Sequence, residues 1–361
     1  MENNCLCEPS LTRGIKILCL AYNIVTMGSQ GGSMGDLAVD NLRHDTTDVP
    51  VEPDPAYAIQ TFNLTRTFGD LIAVNSISLG IKKGELFALL GPNGAGKTTT
   101  ISMLCCLLKP TSGTAQILGR DIVKDPREVK RLIGVSPQET TISERLTPLE
   151  NLELMAQLHD LPKAKARKWA SLMLETIGLS ERANDQVRHF SGGMKRRLSL
   201  AVALIHDPPV LILDEPTLGL DPQSRRALWE YIERLKGEKT VLLTTHYMEE
   251  ADYLADRVGI VDQGKIASLG SATELKTLLL DTHTMIIKGW NLTNSVVADL
   301  KQRYETVNLD GGTLSISDRR LDFNEVVEQL RRSGANVRAA YFKEPTLEDV
   351  FLKITGRELR A

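Results

Sequence analysis

The spacing of apolar and polar residues changes along this chain, and each change predicts a different kind of structure. From Gly28 to Ala56 there is little apolar periodicity and much Gly, Ser, Asp and Pro (GSQGGSMGD, then DVPVEPDPA), a composition that reads as a linker or disordered tail. Strand-like runs begin near Tyr57: Ile59 to Leu64, then Leu71 to Val74 beyond the turn residues Gly69-Asp70, then Ser76 to Ile81 with apolar Ile77, Leu79 and Ile81 alternating. These runs predict a small antiparallel sheet. Lys82-Lys83-Gly84 turns the chain into a continuous apolar strand, Glu85 to Leu90, and Thr99 to Leu108 reads as a buried helix without Gly or Pro. Short strands follow at Thr114 to Leu118 and Leu132 to Ser136, with a turn at Gly119-Arg120-Asp121 between them. Helical periodicity then takes over in Leu149 to His159 and Lys163 to Ile177, the latter stopped by Gly178. Two more apolar strands, Pro209 to Pro216 and Thr240 to Thr245, precede a hairpin of Val258 to Val261 and Lys265 to Ser268 over Asp262-Gln263-Gly264. Beyond about residue 270 the order becomes βαββαβ (285–288, 294–304, 306–309, 313–317, 323–333, 337–342). A terminal helix spans Thr346 to Ile354. That order suits a split βαβ, ferredoxin-like domain with a hairpin at Asp310-Gly311-Gly312.

Between the strand ending at Leu90 and the helix after it lies Gly91 to Thr99, GPNGAGKTT, which fits the phosphate-binding pattern G-x-x-x-x-G-K-[ST] in the strand, loop, helix context that pattern needs. Gly91, Gly94 and Gly96 let the backbone approach an anion without a Cβ in the way. The stretch, with Pro92 as part of its turn and Asn93, Ala95 and Thr99 among its donors, can therefore ring a phosphate with N–H groups, helped by the helix dipole. Lys97 can reach the β and γ phosphates, and the Thr98 hydroxyl is placed to ligate Mg²⁺. Asp214 and Glu215 stand at the carboxyl end of an apolar strand, where ligands bind in an open parallel α/β sheet. His246 stands at the end of a second such strand. Phe68, before Gly69-Asp70, can stack on a purine, against the alternative of packing in the core.

Composition narrows the picture further. At 361 residues two domains are expected, and a net charge of −3 gives no support for nucleic-acid binding by bulk charge. The five cysteines, at 5, 7, 19, 105 and 106, form no C-x-x-C pair and fit a reducing compartment better than a disulfide framework. Cys5 and Cys7 are half of a metal site at most, and free thiols in a tail are the better reading. The apolar segment Ile15 to Met27 is interrupted by Lys16 and Asn23 and falls short of the roughly 20 residues of a membrane span. Its signal-peptide character is superficial, because a phosphate loop that consumes nucleotide belongs on the cytosolic side. The reading is a tail, with Met34 as an alternative start. The basic run Lys195-Arg196-Arg197 reads as a solvated helix face.

Taken together, the phosphate loop, Gln138, FSGGMKRRLSLA from Phe190, LILDEPTLGLD from Leu211 and His246 resemble, in order and spacing, the ATP-binding cassette (ABC) ATPases. The resemblance covers about Tyr57 to Gly270. It implies an α/β fold: a P-loop NTPase cassette with a mixed sheet core, an antiparallel β subdomain and a helical subdomain at about 139–205. A small α+β C-terminal domain follows at 271–361, and 1–55 is a tail. The cofactors implied are ATP and Mg²⁺. Asp214 resembles the Walker B carboxylate that fixes the metal, Glu215 the general base, and Gln138 the Q-loop residue contacting metal and γ-phosphate. His246 resembles the switch histidine, Asp221 the D-loop residue and Phe68 the A-loop aromatic. Ser191, Gly192 and Gly193 resemble the signature turn, which in this family binds nucleotide held by the opposite subunit. One phosphate loop per chain then implies a second cassette, expected to be another copy. FSGGM stands where LSGGQ is commonest, so Met194 lacks the amide of that position, and Phe68 lacks the hydroxyl of a tyrosine. Glu344 to Leu352 with Thr355-Gly356-Arg357 resembles the ending of daunorubicin-resistance-type ATPase subunits. These serve ABC-2 exporters with a separate permease, which implies a peripheral protein on the cytosolic membrane face. The competing reading is a soluble ABC ATPase acting on ribosomes or DNA, but neither a second cassette nor a long coiled coil is present in this sequence. An importer subunit is disfavoured by the terminal segment.

Overall fold

The computed structural model describes residues 54–139, 141–279 and 283–356. The expectations for residues 1–53, including Cys5, Cys7, Cys19, Met34 and the apolar segment Ile15 to Met27, lie outside the described residues, as does Arg357. The chain divides into two compact units, one running to Leu269 and the other starting at Gly270. Among the described residues no helix is long and apolar enough to cross a membrane.

In the first unit β1 (Tyr57–Phe68) pairs antiparallel with β2 (Leu71–Lys82). The sequence predicts two short runs where β2 is one strand, because Asn75-Ser76 breaks the apolar alternation. The strand absorbs the break as a register shift, with Asn63 and Ser76 at φ 47° and 54° and the Ser76 N–H bonded to Thr65 Oγ1 at 3.0 Å. The chain continues through β3 (Leu86–Leu90) and α1 (Lys97–Leu104), then β4 (Ser112–Ile117) and β5 (Arg120–Asp121). Helix α1 begins two residues before the expected start and ends four before the expected end. Its stop comes from Cys106 at φ 56°, after which the N–H groups of Leu107 and Leu108 both return to the Ser102 carbonyl. Next come α2 (Pro126–Leu132) and β6 (Ile133–Ser136), then the helical region α3 (Pro148–Leu158), α4 (Lys163–Thr176) and α5 (Gly192–Leu204). The unit closes with β7 (Val210–Asp214), α6 (Pro222–Glu233), β8 (Thr240–Thr245), α7 (Met248–Leu254), β9 (Arg257–Asp262) and β10 (Lys265–Gly270).

Two sheets result. One has the order β2-β1-β4-β5 and is antiparallel; the other has the order β10-β9-β3-β8-β7-β6, with β9, β3, β8, β7 and β6 parallel. Every residue of β3, β7 and β8 is buried, the physical reason these strands read as unbroken apolar runs. Helices α3, α4 and α5 enclose a separate core of Leu152, Ala156, Ala170, Leu174, Leu198 and Ala201. Thr147 and Glu150 close the start of α3 as a reciprocal cap. Helices α2, α6 and α7 were not anticipated. The signal for α6 was present, since Asp221-Pro222 is a capping residue followed by proline at the first helical position.

The second unit contains α8 (Ala272–Thr277), β11 (His283–Trp290), α9 (Asn294–Lys301), β12 (Thr306–Asp310), β13 (Thr313–Asp318), α10 (Phe323–Arg332), β14 (Asn336–Lys343) and α11 (Leu347–Thr355). Its sheet order, β12-β13-β11-β14 with antiparallel neighbours, is the split βαβ arrangement that the element order predicts. Met285, Ile287, Leu314 and Ile316 face Leu300, Val326 and Leu330 of the helices in its core.

Candidate functional site

The site is built at the carboxyl ends of β3, β7 and β8, three adjacent parallel strands, so residues distant in sequence emerge side by side. The loop leaving β3 is anchored at its base by the Gly91 N–H bond to the Thr245 carbonyl, 3.2 Å, and by Gly264 N–H to the Ala95 carbonyl, 3.0 Å. Glycine is obligatory at two points. A Cβ on Gly91 would lie 2.3 Å from the Val261 carbonyl oxygen, and one on Gly96, at φ 103°, 2.4 Å from that of Ala73. Gly94, also at positive φ, faces open space, and Asn93 beside it is exposed. Gly96 caps α1, whose first closed backbone bond is Thr100 N–H to the Gly96 carbonyl. The N–H groups of Lys97, Thr98 and Thr99 precede it and have no helical carbonyl to bond, so the loop and helix start present donors to an anion.

Lys97 is 5% exposed. Its Nζ donates to the carbonyls of Gly91 (2.6 Å) and Pro92 (3.2 Å) and pairs with Glu215 Oε1 at 3.2 Å. The other carboxylate oxygen of Glu215 lies 2.6 Å from His246 Nδ1. A carboxylate can only accept, which places that proton on Nδ1. Glu215 is therefore held between a lysine from the phosphate loop and a histidine from the end of β8. Its neighbour Asp214 accepts from Thr244 Oγ1 at 2.5 Å and from Thr98 Oγ1 at 3.4 Å. Glu215 carries φ 49°, and its N–H bonds the backbone and side-chain oxygens of Thr244, both at 3.1 Å.

The other sequence-predicted residues take different places. Ser191 caps α5 by accepting from Met194 N–H at 3.3 Å, and with Gly192 it is exposed. A Cβ on Gly193 would lie 2.8 Å from Ser224 Oγ, at the start of α6. Asp221 caps α6 by accepting from Ser224 N–H at 2.9 Å, and the Ser224 hydrogen bonds hold its carboxyl below the usual range. Among the described residues no hydrogen bond or ion pair joins Ser191, Gly192, Gly193 or Asp221 to the phosphate loop. Gln138 is exposed just after β6, with its carbonyl bonded to Arg196. Phe68 is 45% exposed, so it is not a core residue, and the Arg66 guanidinium lies 4.5 Å from its ring centre. Phe68 ends the strand paired to β2, whose Ala73 carbonyl packs on Gly96.

Two charged residues escape a sequence reading. Arg196, expected on a solvated face, is 5% exposed. It lies one turn from Ser199, whose hydroxyl is 3.1 Å from that of Ser136 on β6, so this face of α5 turns inward. Lys195 instead pairs with Glu144, and Arg197 bonds the Ile177 carbonyl. Glu250 on α7 is fully buried and accepts from Thr217 Oγ1 (2.8 Å) and Trp229 Nε1 (3.0 Å); burial raises its carboxyl above the usual range. Among the described residues no group of three His, Cys, Asp or Glu side chains is set to hold a metal by itself.

Comparisons with known proteins give this geometry its context. The ABC transporter family profile matches residues 74–218. The linearmycin resistance ATP-binding protein of Bacillus subtilis is 40% identical over 84% of this chain and 99% of its own length. A daunorubicin resistance ATP-binding protein of Streptomyces coeruleorubidus is 39% identical over 84% and 97%. The Nod factor export ATP-binding protein I of Ralstonia nicotianae is 39% identical over 82% and 93%. Among solved structures, an ATP-binding subunit of an ABC transporter superposes with TM-score 0.56 at 29% identity, covering 62% of this chain and 93% of its own. A dimeric ATP-binding cassette with ADP and phosphate in a post-hydrolysis state gives 0.55 at 28% identity, covering 59% and 98%. A phosphate loop backed by paired carboxylates at parallel strand ends, in a chain this similar to such proteins, makes it a member of the ABC transporter ATP-binding family, resembling the daunorubicin-resistance type, that binds and hydrolyses ATP.

Proposed function

We propose that this chain is the energy-supplying subunit of an ABC-2 type exporter, working as a homodimer on the cytosolic face of the membrane with a separate permease chain. The observation that carries the hydrolytic part is the run Lys97, Glu215, His246, which sets a carboxylate beside the phosphate loop with both oxygens engaged. In this reading Gly91 to Thr99 cradle the triphosphate, Phe68 stacks on the adenine, and Lys97 moves from its carbonyl contacts to the β and γ phosphates. Glu215 polarises a water that attacks the γ-phosphorus, the bond to the β-phosphate oxygen breaks, and ADP and phosphate leave. His246 bonds the γ-phosphate through its other nitrogen, and Gln138 senses the nucleotide from the edge of the helical region. The oxygen-only pair Thr98 and Asp214 fits a hard cation, so these two, with Gln138, would hold Mg²⁺. Mg²⁺ there would neutralise charge developing on the phosphates. Ser191, Gly192, Gly193 and Asp221 act across the dimer on the partner's nucleotide, in keeping with the exposure of Ser191, Gly192 and Asp221 and with the lack, among the described residues, of a hydrogen bond or ion pair from these four to this chain's own phosphate loop. Export of a drug-like molecule is supported by the named functions of the relatives, linearmycin and daunorubicin resistance and Nod factor export.

Glu215→Gln tests the hydrolytic part: nucleotide still binds and turnover falls about 100-fold or more, the usual contribution of a general base. Wild-type turnover in that variant refutes it. Co-purification with a membrane permease tests the exporter part, and co-purification with ribosomes or DNA instead overturns it.

A further inference from the structure

We infer that Arg196 is a positioning residue for Glu215. It holds the carboxylate's backbone in a conformation a glutamate rarely takes and ties that conformation to the signature helix α5 and the turn of Gln138. The inference rests on the reading of Glu215 as the base.

Five contacts carry it. Arg196 Nη2 donates to the carbonyls of Asp214 (2.6 Å) and Glu215 (2.8 Å), and Nε donates to that of Pro216 (2.6 Å). Nη1 donates to Pro137 (2.6 Å) and Gln138 (3.1 Å). A guanidinium has five N–H groups, and each here meets one carbonyl. Its charge is buried with no direct carboxylate partner among these contacts; backbone dipoles surround it, with Asp214, Glu250 and Glu215 adding attraction from nearby.

The geometry explains the spacing of those oxygens. Strand β7 ends at Asp214, and Glu215 leaves it through the left-handed region, which breaks the alternation of carbonyl directions that a strand keeps. With Glu215 at φ 49°, the carbonyls of residues 214, 215 and 216 converge instead of alternating, and one flat, branched cation satisfies all three. Without it, the carbonyls of Asp214 and Pro216 lose this donor while that of Glu215 keeps the Leu218 N–H at 3.2 Å, and relaxation of Glu215 toward the common backbone regions would relieve the crowded acceptors. That relaxation would draw its side chain away from Lys97 and His246. The same guanidinium reaches the Gln138 turn, and it stands five residues after Ser191 on one rigid helix. Displacement of α5 or of that turn is therefore felt at Glu215. Lysine cannot replace it, since an ammonium has three donors around a point and no planar fork.

The test is a double-mutant cycle on the full chain. Arg196→Lys should lower kcat for ATP about 30-fold, the rate equivalent of about one charge-assisted hydrogen bond, with KM within about twofold of wild type. In a Glu215→Gln background the same change should cost less than about twofold, because the group it positions is already gone. Rates are taken per folded protein, judged by thermal melting. Arg196→Gln, with two donors and no charge, is read the same way if the lysine variant does not fold. Losses that multiply across the two sites, a change confined to KM, or wild-type kcat in Arg196→Lys each overturn the inference while leaving the base intact. Wild-type turnover in Glu215→Gln alone overturns the base and the inference together.

Discussion

Two glycines two residues apart, which the sequence pattern treats alike, should respond very differently to the same substitution. Gly94 and Gly96 both lie in the phosphate loop at positive φ, 83° and 103°. An alanine at Gly94 meets nothing within 4 Å, so it bears only the backbone cost of a left-handed residue, about 1–2 kcal/mol. An alanine at Gly96 would put its Cβ 2.4 Å from the Ala73 carbonyl oxygen, closer than the 3.0 Å that real contacts keep. Ala73 cannot easily yield, because it lies in β2 between paired Ile72 and Val74, and Asn75 N–H is bonded to the Gly264 carbonyl at 2.8 Å. Backbone strain of about 1–3 kcal/mol and overpacking of about 1–3 kcal/mol then add to about 4 kcal/mol, a large part of a typical domain's stability. At about 2–4 °C per kcal/mol for a unit of this size, Gly96→Ala should lower Tm by about 12 °C and Gly94→Ala by about 4 °C. Thermal melting of both variants, followed by ATP titration at a temperature where both are folded, reads the difference. Equal losses of Tm within about 2 °C would refute the argument that the Ala73 contact, and not glycine's flexibility alone, demands Gly96.

Lys97→Ala removes the cation shared by the loop and Glu215, so ATP affinity and turnover should fall together by about 10-fold or more, read by titration and phosphate release. Mixing a Lys97→Ala chain with a Ser191→Arg chain, each inactive alone, should restore some ATPase activity, since an across-dimer arrangement puts both lesions in one site and leaves the other whole. No recovered activity in proven heterodimers, with no ATP-dependent crosslink from Ser191 to the opposite loop, defeats that arrangement. Glu250 supplies a pH test: burial raises its carboxyl above 4.5, so the folded chain holds this proton more tightly than the unfolded one. Its contribution to stability is complete below about that pH and is lost as pH rises through the folded value. Glu250→Gln keeps the neutral form's shape throughout, so urea unfolding should show it gaining on wild type between acid and mildly alkaline pH; a constant difference would count against a protonated Glu250.

What the sequence alone determined is what local pattern controls. The phosphate loop between β3 and α1 was legible because glycine spacing, one lysine and one threonine act within nine residues. Strands β3, β7 and β8 were legible because a parallel strand covered on both faces must be apolar throughout. The order of elements was enough to anticipate the split βαβ sheet of the second unit. Other features depended on which face of an element meets which neighbour, a long-range matter that composition does not encode. Lys195, Arg196 and Arg197 look equivalent in the sequence, yet only packing of α5 against β6 and β7 sends Arg196 inward to five carbonyls while Lys195 pairs with Glu144. Strand β2 looked broken at Asn75-Ser76 until pairing with β1 showed a bulge. Asp221 carried a capping signal, but its place beside the turn of Ser191, Gly192 and Gly193 comes from Gly193 seating on Ser224. The meeting of Lys97, Glu215 and His246 was likewise decided by tertiary structure, because strand order brings β3, β8 and β7 together and their carboxyl ends open at one edge.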